Sequence, residues 1–273
     1  MSNVLVSIIV PCYNTESTLE ETLISIVNQK FQDWEAIIIN DGSPDNLEKI
    51  ALQWVNKDSR FRYYKKENGG LGSARNFGIK NALGEFILPL DSDNLIRENF
   101  VSHAIPIFLA NPKVGVIYGN ANYIGGNKGI WKVGAFDRYK MLYDNYIDAC
   151  VIIKKEVFDL LGSYEENLPH QGHEDWELWL RIIQSKSFSF YYLDELTFDY
   201  RIADNSMIRL LDEEKKKENM NFIRLKHSAL YVENYISLYV KHEQLKKEIP
   251  ILFNTIRKKI NIISKYLFNT SKD

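Results

Sequence analysis

Two aspartates, Asp91 and Asp93, stand one residue apart where the apolar run of EFILPLDSDN ends. In extended backbone, residues i and i+2 point to the same side, so both carboxylates can face one ligand. Hard divalent cations such as Mg²⁺ or Mn²⁺ take carboxylate oxygens and complete their shells with water and substrate phosphates. The plain alternative is a solvated strand end, where aspartates favour the turn through local hydrogen bonds. Asp41, in IIINDGSPDN, closes a second apolar run ahead of a Gly-Ser turn. A carboxylate there can accept from a nucleobase N–H or ribose hydroxyls; an ordinary Asp-Gly turn is the competing reading. Glu174 and Asp175 open the helical pattern HEDWELWLRIIQ. There they can serve as a general base and its neighbour, or simply favour a helix N-terminus through its dipole. ENGGLGSARNFG, residues 67–78, is rich in glycine but fails the dinucleotide fingerprint, because Arg75 occupies the third glycine position. It also lacks the Lys-Ser/Thr ending of a P-loop. Its expected use is to bring backbone close to a ligand and project Arg75 towards an anionic or nucleobase group.

The elements that must position these groups alternate along the first half of the chain. Strands are predicted at 6–10, 34–40, 61–65, 85–90 and 114–119, with helices after Ser17 and over 45–57, 72–82 and 98–110. Ser17 and Glu20 have capping-box spacing. Strands separated by helices imply right-handed βαβ units and a largely parallel sheet, whose ligands sit beyond the carboxyl ends of the strands. Tyr13 and Asn14, Asp41, and Asp91 with Asp93 fall at those ends. Further on, YIGGNKGIWKVG reads as a glycine-turned hairpin, IDACVIIKKEVFDLLGSY as a strand and short helix, and 173–184 as a helix.

From about residue 207 the pattern is helical and basic: residues 211–273 hold 13 Lys and Arg against 8 Asp and Glu. Two apolar stripes, from Phe222 to Tyr239 and from Ile249 to Leu267, flank Pro250 and predict a helical hairpin. Each stripe is short for a coiled coil. The appendage can pack on the rest of the chain, form a homo-oligomer, or touch a membrane surface through Arg257, Lys258 and Lys259.

Composition narrows the class of protein. The 273 residues are 45% apolar and 13% aromatic, which suits a folded globule. A formal charge of −2 gives no reason to expect nucleic acid as a partner. Only Cys12 and Cys150 are present, outside any CxxC spacing, which suits a reducing compartment and not a thiolate metal site. The N-terminal apolar run stops at Pro11 without a basic flank, and no apolar stretch approaches the roughly 18 residues of a membrane span. A soluble cytoplasmic protein without a transmembrane span is expected, with the inner membrane face as a peripheral location.

Three blocks in order, VSIIVPCYNTESTLEETLISIVNQKFQDWEAIIINDGSPDN, NGGLGSARNFGIKNALGEFILPLDSDN and HEDWELWLR, resemble family 2 glycosyltransferases of the GT-A fold. The similarity is nearly continuous over residues 4–120 and sparser to about 200. The resemblance implies a Rossmann-like, mixed and mainly parallel sheet flanked by helices. It implies a catalytic domain at 1–206, with a nucleotide half to about 120 and an acceptor half at 121–206, and a helical appendage at 207–273. Pro11, Tyr13 and Asn14 would cradle the nucleotide, with Asp41, Arg75, Asp91 and Ser92 as further donor contacts. Asp93 would bind a divalent cation, Mn²⁺ or Mg²⁺, that bridges the diphosphate. Asp175 would be the catalytic base, with Glu174 and Trp176 at the acceptor or sugar. Arg201 would contact the diphosphate. Many relatives carry a histidine shortly after that arginine, but Ala203 stands here, so Asp204 or water would have to complete the metal shell.

The implied reaction is inverting transfer of a hexose from a nucleotide-diphosphate sugar, UDP-glucose, UDP-galactose or an N-acetyl form. The acceptor would be a growing glycan on a bacterial surface polysaccharide, lipid carrier or glycoprotein. Two other classes stay in view. A nucleotidyltransferase would need a basic glycine-rich loop near the N-terminus, and PCYNTEST has neither Lys nor Arg. A non-catalytic module acting through its helical tail would have no need of Asp41, Asp91, Asp93 and Asp175 together.

Overall fold

The computed structural model describes residues 4–126, 128–202 and 212–269. It divides into two compact units, Met1–Ile223 and Arg224–Asp273.

The first unit is built on one mixed sheet. Strand β1 (Val6–Cys12), a run dominated by Val and Ile, is buried along its whole length. It pairs in parallel with β2 (Trp34–Asp41) on one side and β4 (Phe86–Pro89) on the other, and β3 (Phe61–Lys66) adds in parallel to β2. Helices α1 (Leu19–Val27), α2 (Leu47–Lys57), α3 (Leu71–Lys80) and α4 (Phe100–Ala110) connect or follow these strands. Beyond β4 come β8 (Ile152–Lys154), β6 (Val114–Gly125), β9 (Ser189–Ile202) and β5 (Leu95–Ile96), with β7 (Gly129–Trp131) hairpinned onto β6. Pairing alternates here: β4–β8, β8–β6 and β5–β9 are antiparallel, whereas β6–β9 is parallel. Helices α5 (Arg138–Tyr143), α6 (Lys155–Leu161) and α7 (Glu174–Ser185) complete this half, and α8 (Glu213–Lys226) and α9 (Ser228–Asn269) follow.

The predicted elements of the first 120 residues are present, with local differences. The capping box does not form. Thr18 takes the N-cap position without a side-chain capping bond, and Glu20 instead accepts from the Trp54 indole at 2.7 Å. Sequence reading gave β6 six residues where it has twelve, and it missed β5, α5 and β9. The β6–β9 pairing depends on close approach, since a Cβ on Gly119 would lie 2.3 Å from the Thr197 methyl. The helical hairpin centred on Pro250 is also corrected. Pro250 lies inside α9, and the helical run is interrupted between Lys226 and Ser228. A helix-interior proline forfeits one backbone bond, but α9 accommodates it.

Helix α3 sits tightly on the sheet, and this matters because it carries Arg75. A Cβ on Gly78 would lie 2.4 Å from the Ile9 Cγ2, closer than packed carbon atoms approach. Gly78→Ala is expected to cost about 1–3 kcal/mol by overpacking, readable as a lower denaturant midpoint with an unchanged slope. An unchanged midpoint would show that α3 can move off β1 freely.

Candidate active site

The carboxyl ends of β1, β2 and β4 meet the start of α7, and the predicted residues gather there in two layers. Asp91, Asp93 and Asp175 are half-buried, whereas Arg75 and Glu174 lie beneath them at 2% and 4% exposure. Beyond β1, Tyr13 presents an exposed ring beside buried Pro11. Asn14 adopts a left-handed conformation, φ 61°, and its N–H donates to Ser43 Oγ at 2.7 Å. Asparagine tolerates that backbone better than most residues, so the turn leaves Tyr13 at the rim.

Asp41 is engaged by the protein itself. Its carboxylate accepts from the N–H groups of Gly69 and Gly70 at 3.0 and 2.8 Å, and from Lys66 Nζ at 2.7 Å. The glycine-rich loop is therefore drawn onto the end of β2. Gly70 has φ 87°, in the region glycine alone enters cheaply.

Arg75, expected to project towards a ligand, turns inward. Nη2 donates to Asp91 at 2.6 Å and Nη1 to Glu174. Burial opposes its charge, but Asp91 and Glu174 outweigh that and hold the guanidinium above its ordinary pKa. Glu174 is correspondingly corrected from a sugar contact to the buried partner of Arg75. Its carboxyl is raised by burial, which Arg75 only partly offsets. This bridge ties the DSD segment to the first turn of α7.

Trp176 and Ser92 are corrected as well. Trp176 is fully buried, and its indole donates to the Met141 carbonyl at 2.7 Å, while Trp179 donates to Ile147 O at 3.2 Å. The two indoles fasten the segment that precedes β8, rather than facing solvent. Ser92 is 3% exposed; its hydroxyl donates to Thr15 Oγ1 at 3.0 Å and its carbonyl accepts from Thr18 Oγ1 at 2.9 Å. Arg201 is held beside the DSD turn. Its Nε donates to the Asp93 carbonyl at 2.8 Å, its backbone N–H to Asn94 Oδ1 at 2.9 Å, and Nη2 to Glu21 at 2.5 Å. Ala203 and Asp204 lie outside the described residues.

Asp93 has no side-chain ion pair among the described residues. Burial, and then the neighbouring Asp91 charge, push its carboxyl up to about 6, against the pull of its own backbone N–H and Arg201. Asp175 is fixed at both oxygens: Oδ1 accepts from the Trp176 N–H at 2.7 Å and Oδ2 from Asn145 Nδ2 at 2.9 Å. Each oxygen keeps a second lone pair for an incoming proton. Its carboxyl is raised by burial, while Arg75 and these two hydrogen bonds act in the other direction.

Sequence reading missed Asn145 and Asp148. Asp148 is pushed up to about 7, by burial first and then by the Asp91 and Asp175 charges, and it accepts from the Cys150 N–H at 2.8 Å. An acid at the entry of the apolar run ACVII was the available signal for Asp148; nothing in the sequence marked Asn145.

Five carboxyl groups thus share the region with Arg75 and Arg201. Such an acidic surplus favours either retained protons or a bound cation. Among the described residues, no three His, Cys, Asp or Glu side chains converge as a ready-made metal cage. That donor set fits a hard cation held by one or two carboxylates, with its other ligands supplied by phosphates and water.

The model of glycosyl transferase family 2 matches residues 7–180, and the chain belongs to that family. An uncharacterised glycosyltransferase of Rickettsia typhi is 30% identical over 94% of this chain and 86% of its own. The UDP-Glc:alpha-D-GlcNAc-diphosphoundecaprenol beta-1,3-glucosyltransferase WfgD of Escherichia coli is 30% identical over 80% of this chain and 85% of its own. Of three other Rickettsia relatives the chain spans only 28–41% of the length. Among solved structures, S. aureus TarS 1–349 in complex with UDP-GlcNAc superposes with TM-score 0.65 at 21% identity, over 81% of this chain and 66% of that one. A mannosyltransferase from Pyrobaculum calidifontis, solved with GDP-Man and Mn²⁺, gives 0.58 at 19% identity over 74% and 58%. The fold is GT-A. The protein is a family 2 glycosyltransferase with relatives in bacterial glycan biosynthesis, and no helix among the described residues is long and apolar enough to cross a membrane.

Proposed function

We propose that this chain transfers a hexose, with inversion, from a nucleotide-diphosphate sugar to a hydroxyl of a growing bacterial glycan. The observation that carries the reading is a pair of differently held carboxylates, Asp93 and Asp175, that both feel the charge of Asp91. Asp93 is a carboxylate without an ion pair among the described residues, suited to a cation, and Asp175 is oriented at both oxygens as a base. UDP-glucose, UDP-galactose or an N-acetyl form is the proposed donor, supported by the UDP-Glc in the name of WfgD and the UDP-GlcNAc bound to TarS. The proposed acceptor is a lipid-carried or protein-carried glycan.

In this reading residues 1–206 form the catalytic domain and 207–273 its appendage. Tyr13 stacks on the nucleobase at the rim, with Pro11 and Asn14 shaping the floor. Asp41 keeps the glycine loop closed against the nucleotide and reads the base through the remaining lone pair of Oδ2. Asp91 and Arg201 line the ribose and diphosphate. Asp93 would hold Mn²⁺ or Mg²⁺, which when bound stabilises the negative charge that develops on the leaving diphosphate. Asp175 accepts the proton of the acceptor hydroxyl as that oxygen attacks the anomeric carbon. Along α9, exposed apolar side chains including Ile236, Tyr239, Ile249 and Phe253 support a homo-oligomer through this helix, which the mass of the full chain in solution tests.

Asp93 supplies too few oxygens to bind a hard cation tightly alone. Titration calorimetry should find Mn²⁺ binding at least about tenfold tighter with UDP present than without, because phosphate oxygens complete the shell. Asp93→Asn should remove that difference. Equal affinity with and without UDP would place the cation elsewhere.

A further inference from the structure

We propose that Asn219, which lies beyond the matched family region, is a positioning residue that locks the turn from which Asp175 is aimed. The inference rests on Asp175 being the base.

Asn219 lies on α8 and is completely buried. Its amide is spent on one short stretch, residues 170–173. Nδ2 donates to the carbonyls of His170 and Gly172 at 2.9 and 3.2 Å and lies 3.3 Å from His173 Nδ1. Oδ1 accepts the His170 N–H at 2.9 Å. The neighbouring Glu218 adds a contact to His170 Nε2 at 2.7 Å. Burial pushes the His173 ring below its ordinary pKa, which suits a neutral imidazole packed beside the amide. A single side chain thus satisfies both carbonyls and the leading N–H of the turn.

The turn needs such a device. Gly172 and His173 are both in positive-φ conformations, 101° and 69°, and any non-glycine residue is uncommon there, although histidine enters it more readily than most. Strained backbone of this kind persists where its surroundings over-determine it. His173 is the N-cap residue of α7 and forms no side-chain cap bond, so nothing on its own side chain sets the helix start. The next two residues are Glu174, bonded to Arg75, and Asp175, bonded to Asn145. Rotation at His173 would move both. The turn also reaches the donor side: Gln171 Oε1 accepts the Leu71 N–H at 3.4 Å, and a Cβ on Gly70 would lie 2.5 Å from Gln171 Nε2. One strut therefore runs from Asn219 through the turn to the glycine loop held by Asp41.

The test compares full-length Asn219→Ala and the milder Asn219→Ser with Ile105→Ala, a core substitution on α4 that serves as a stability control. Two readouts are used: amide hydrogen exchange over residues 170–177, and kcat for transfer well below all unfolding midpoints. The expected result is at least tenfold faster exchange over 170–177 and at least a tenfold loss of kcat in the Asn219 variants. Ile105→Ala should keep kcat within twofold. His173→Asn, which suits positive φ, should restore part of kcat in the Asn219→Ala background. Unchanged exchange over 170–177, or a kcat loss no greater than that of Ile105→Ala, overturns the proposal. If Asn219→Ala fails to fold, Asn219→Ser carries both readouts. Should the wild type transfer sugar from no donor, the reading of function fails, and the exchange measurement still decides whether Asn219 holds the turn.

Discussion

Replacing Arg75 with Met is expected to lower the thermal midpoint of the catalytic unit by roughly 6–20 °C. The substitution strands Glu174, which is 4% exposed, and removes the partner of Asp91. Breaking a buried pair by removing one member costs about 3–5 kcal/mol, and each kcal/mol shifts the midpoint by about 2–4 °C in a domain of this size. The loss carries a pH signature. Burial already raises the Glu174 carboxyl in the native state, and without Arg75 its main opposition is gone. A carboxyl raised above its unfolded value of about 4.3 favours folding only when protonated. The variant should therefore be closest to wild type below about pH 4 and diverge as pH rises through the elevated native pKa. Arg75→Lys should fall between, since one ammonium cannot span both carboxylates in the manner of a planar fork. A midpoint within 3 °C of wild type across that range would show that Arg75 is not the internal bridge between the DSD segment and α7.

Asp175→Asn is expected to reduce kcat by at least about 10²-fold while leaving UDP affinity within twofold. The amide keeps the shape of the carboxylate but offers no site for the acceptor proton. The wild-type pH profile should show an acid limb above the ordinary carboxylate range, because burial raises Asp175. The sign follows from the chemistry: a base works ionised, so activity is present above that pKa and lost below it. Asp148 contributes to the position of the limb, since the two carboxyls repel when both are charged. Asp148→Asn should therefore move the limb to lower pH, with the plateau at high pH reporting any separate contact with sugar. An equal loss of UDP binding in Asp175→Asn would make that residue structural instead.

Much of this architecture was legible because periodicity and polarity agree in the first 120 residues. Runs such as VSIIV and WEAIII are buried on both faces, and polar residues appear where they end, at the edge where parallel sheets bind ligands. The second half was harder to read for identifiable reasons. β9 begins as SFYYLDEL, half-exposed and irregular in register against β6, and close approach at Gly119 rather than a repeating pattern sets the pairing.

Within the site, residue identity was more readable than orientation. Ser92 lies between two aspartates, but the segment is a turn closed by the Asn94 N–H on the Asp91 carbonyl at 3.0 Å rather than extended strand, and its hydroxyl goes to Thr15. Trp176 follows Asp175 on a helix, where adjacent positions do not share a face. The correction to Trp176 was available from helix geometry alone; that to Ser92 depends on the turn that replaces the expected strand end. The inward turn of Arg75 was not legible, because it depends on α3 pressing Gly78 onto Ile9 and on Glu174 arriving from residues 99 positions away. Asn145 and Asn219 were equally hidden, as each acts on α7 or its leading turn from a distant segment.

The central claim, metal-assisted sugar transfer with Asp175 as base, is tested most directly by nucleotide release from a panel of nucleotide sugars. The wild type, Asp93→Asn and Asp175→Asn would be compared with glycan acceptors present, with and without Mn²⁺. The predicted result is acceptor-dependent UDP release from one UDP-hexose, dependent on Mn²⁺ and lost in both variants. Release from no donor by the wild type, or undiminished release by Asp175→Asn, would contradict it.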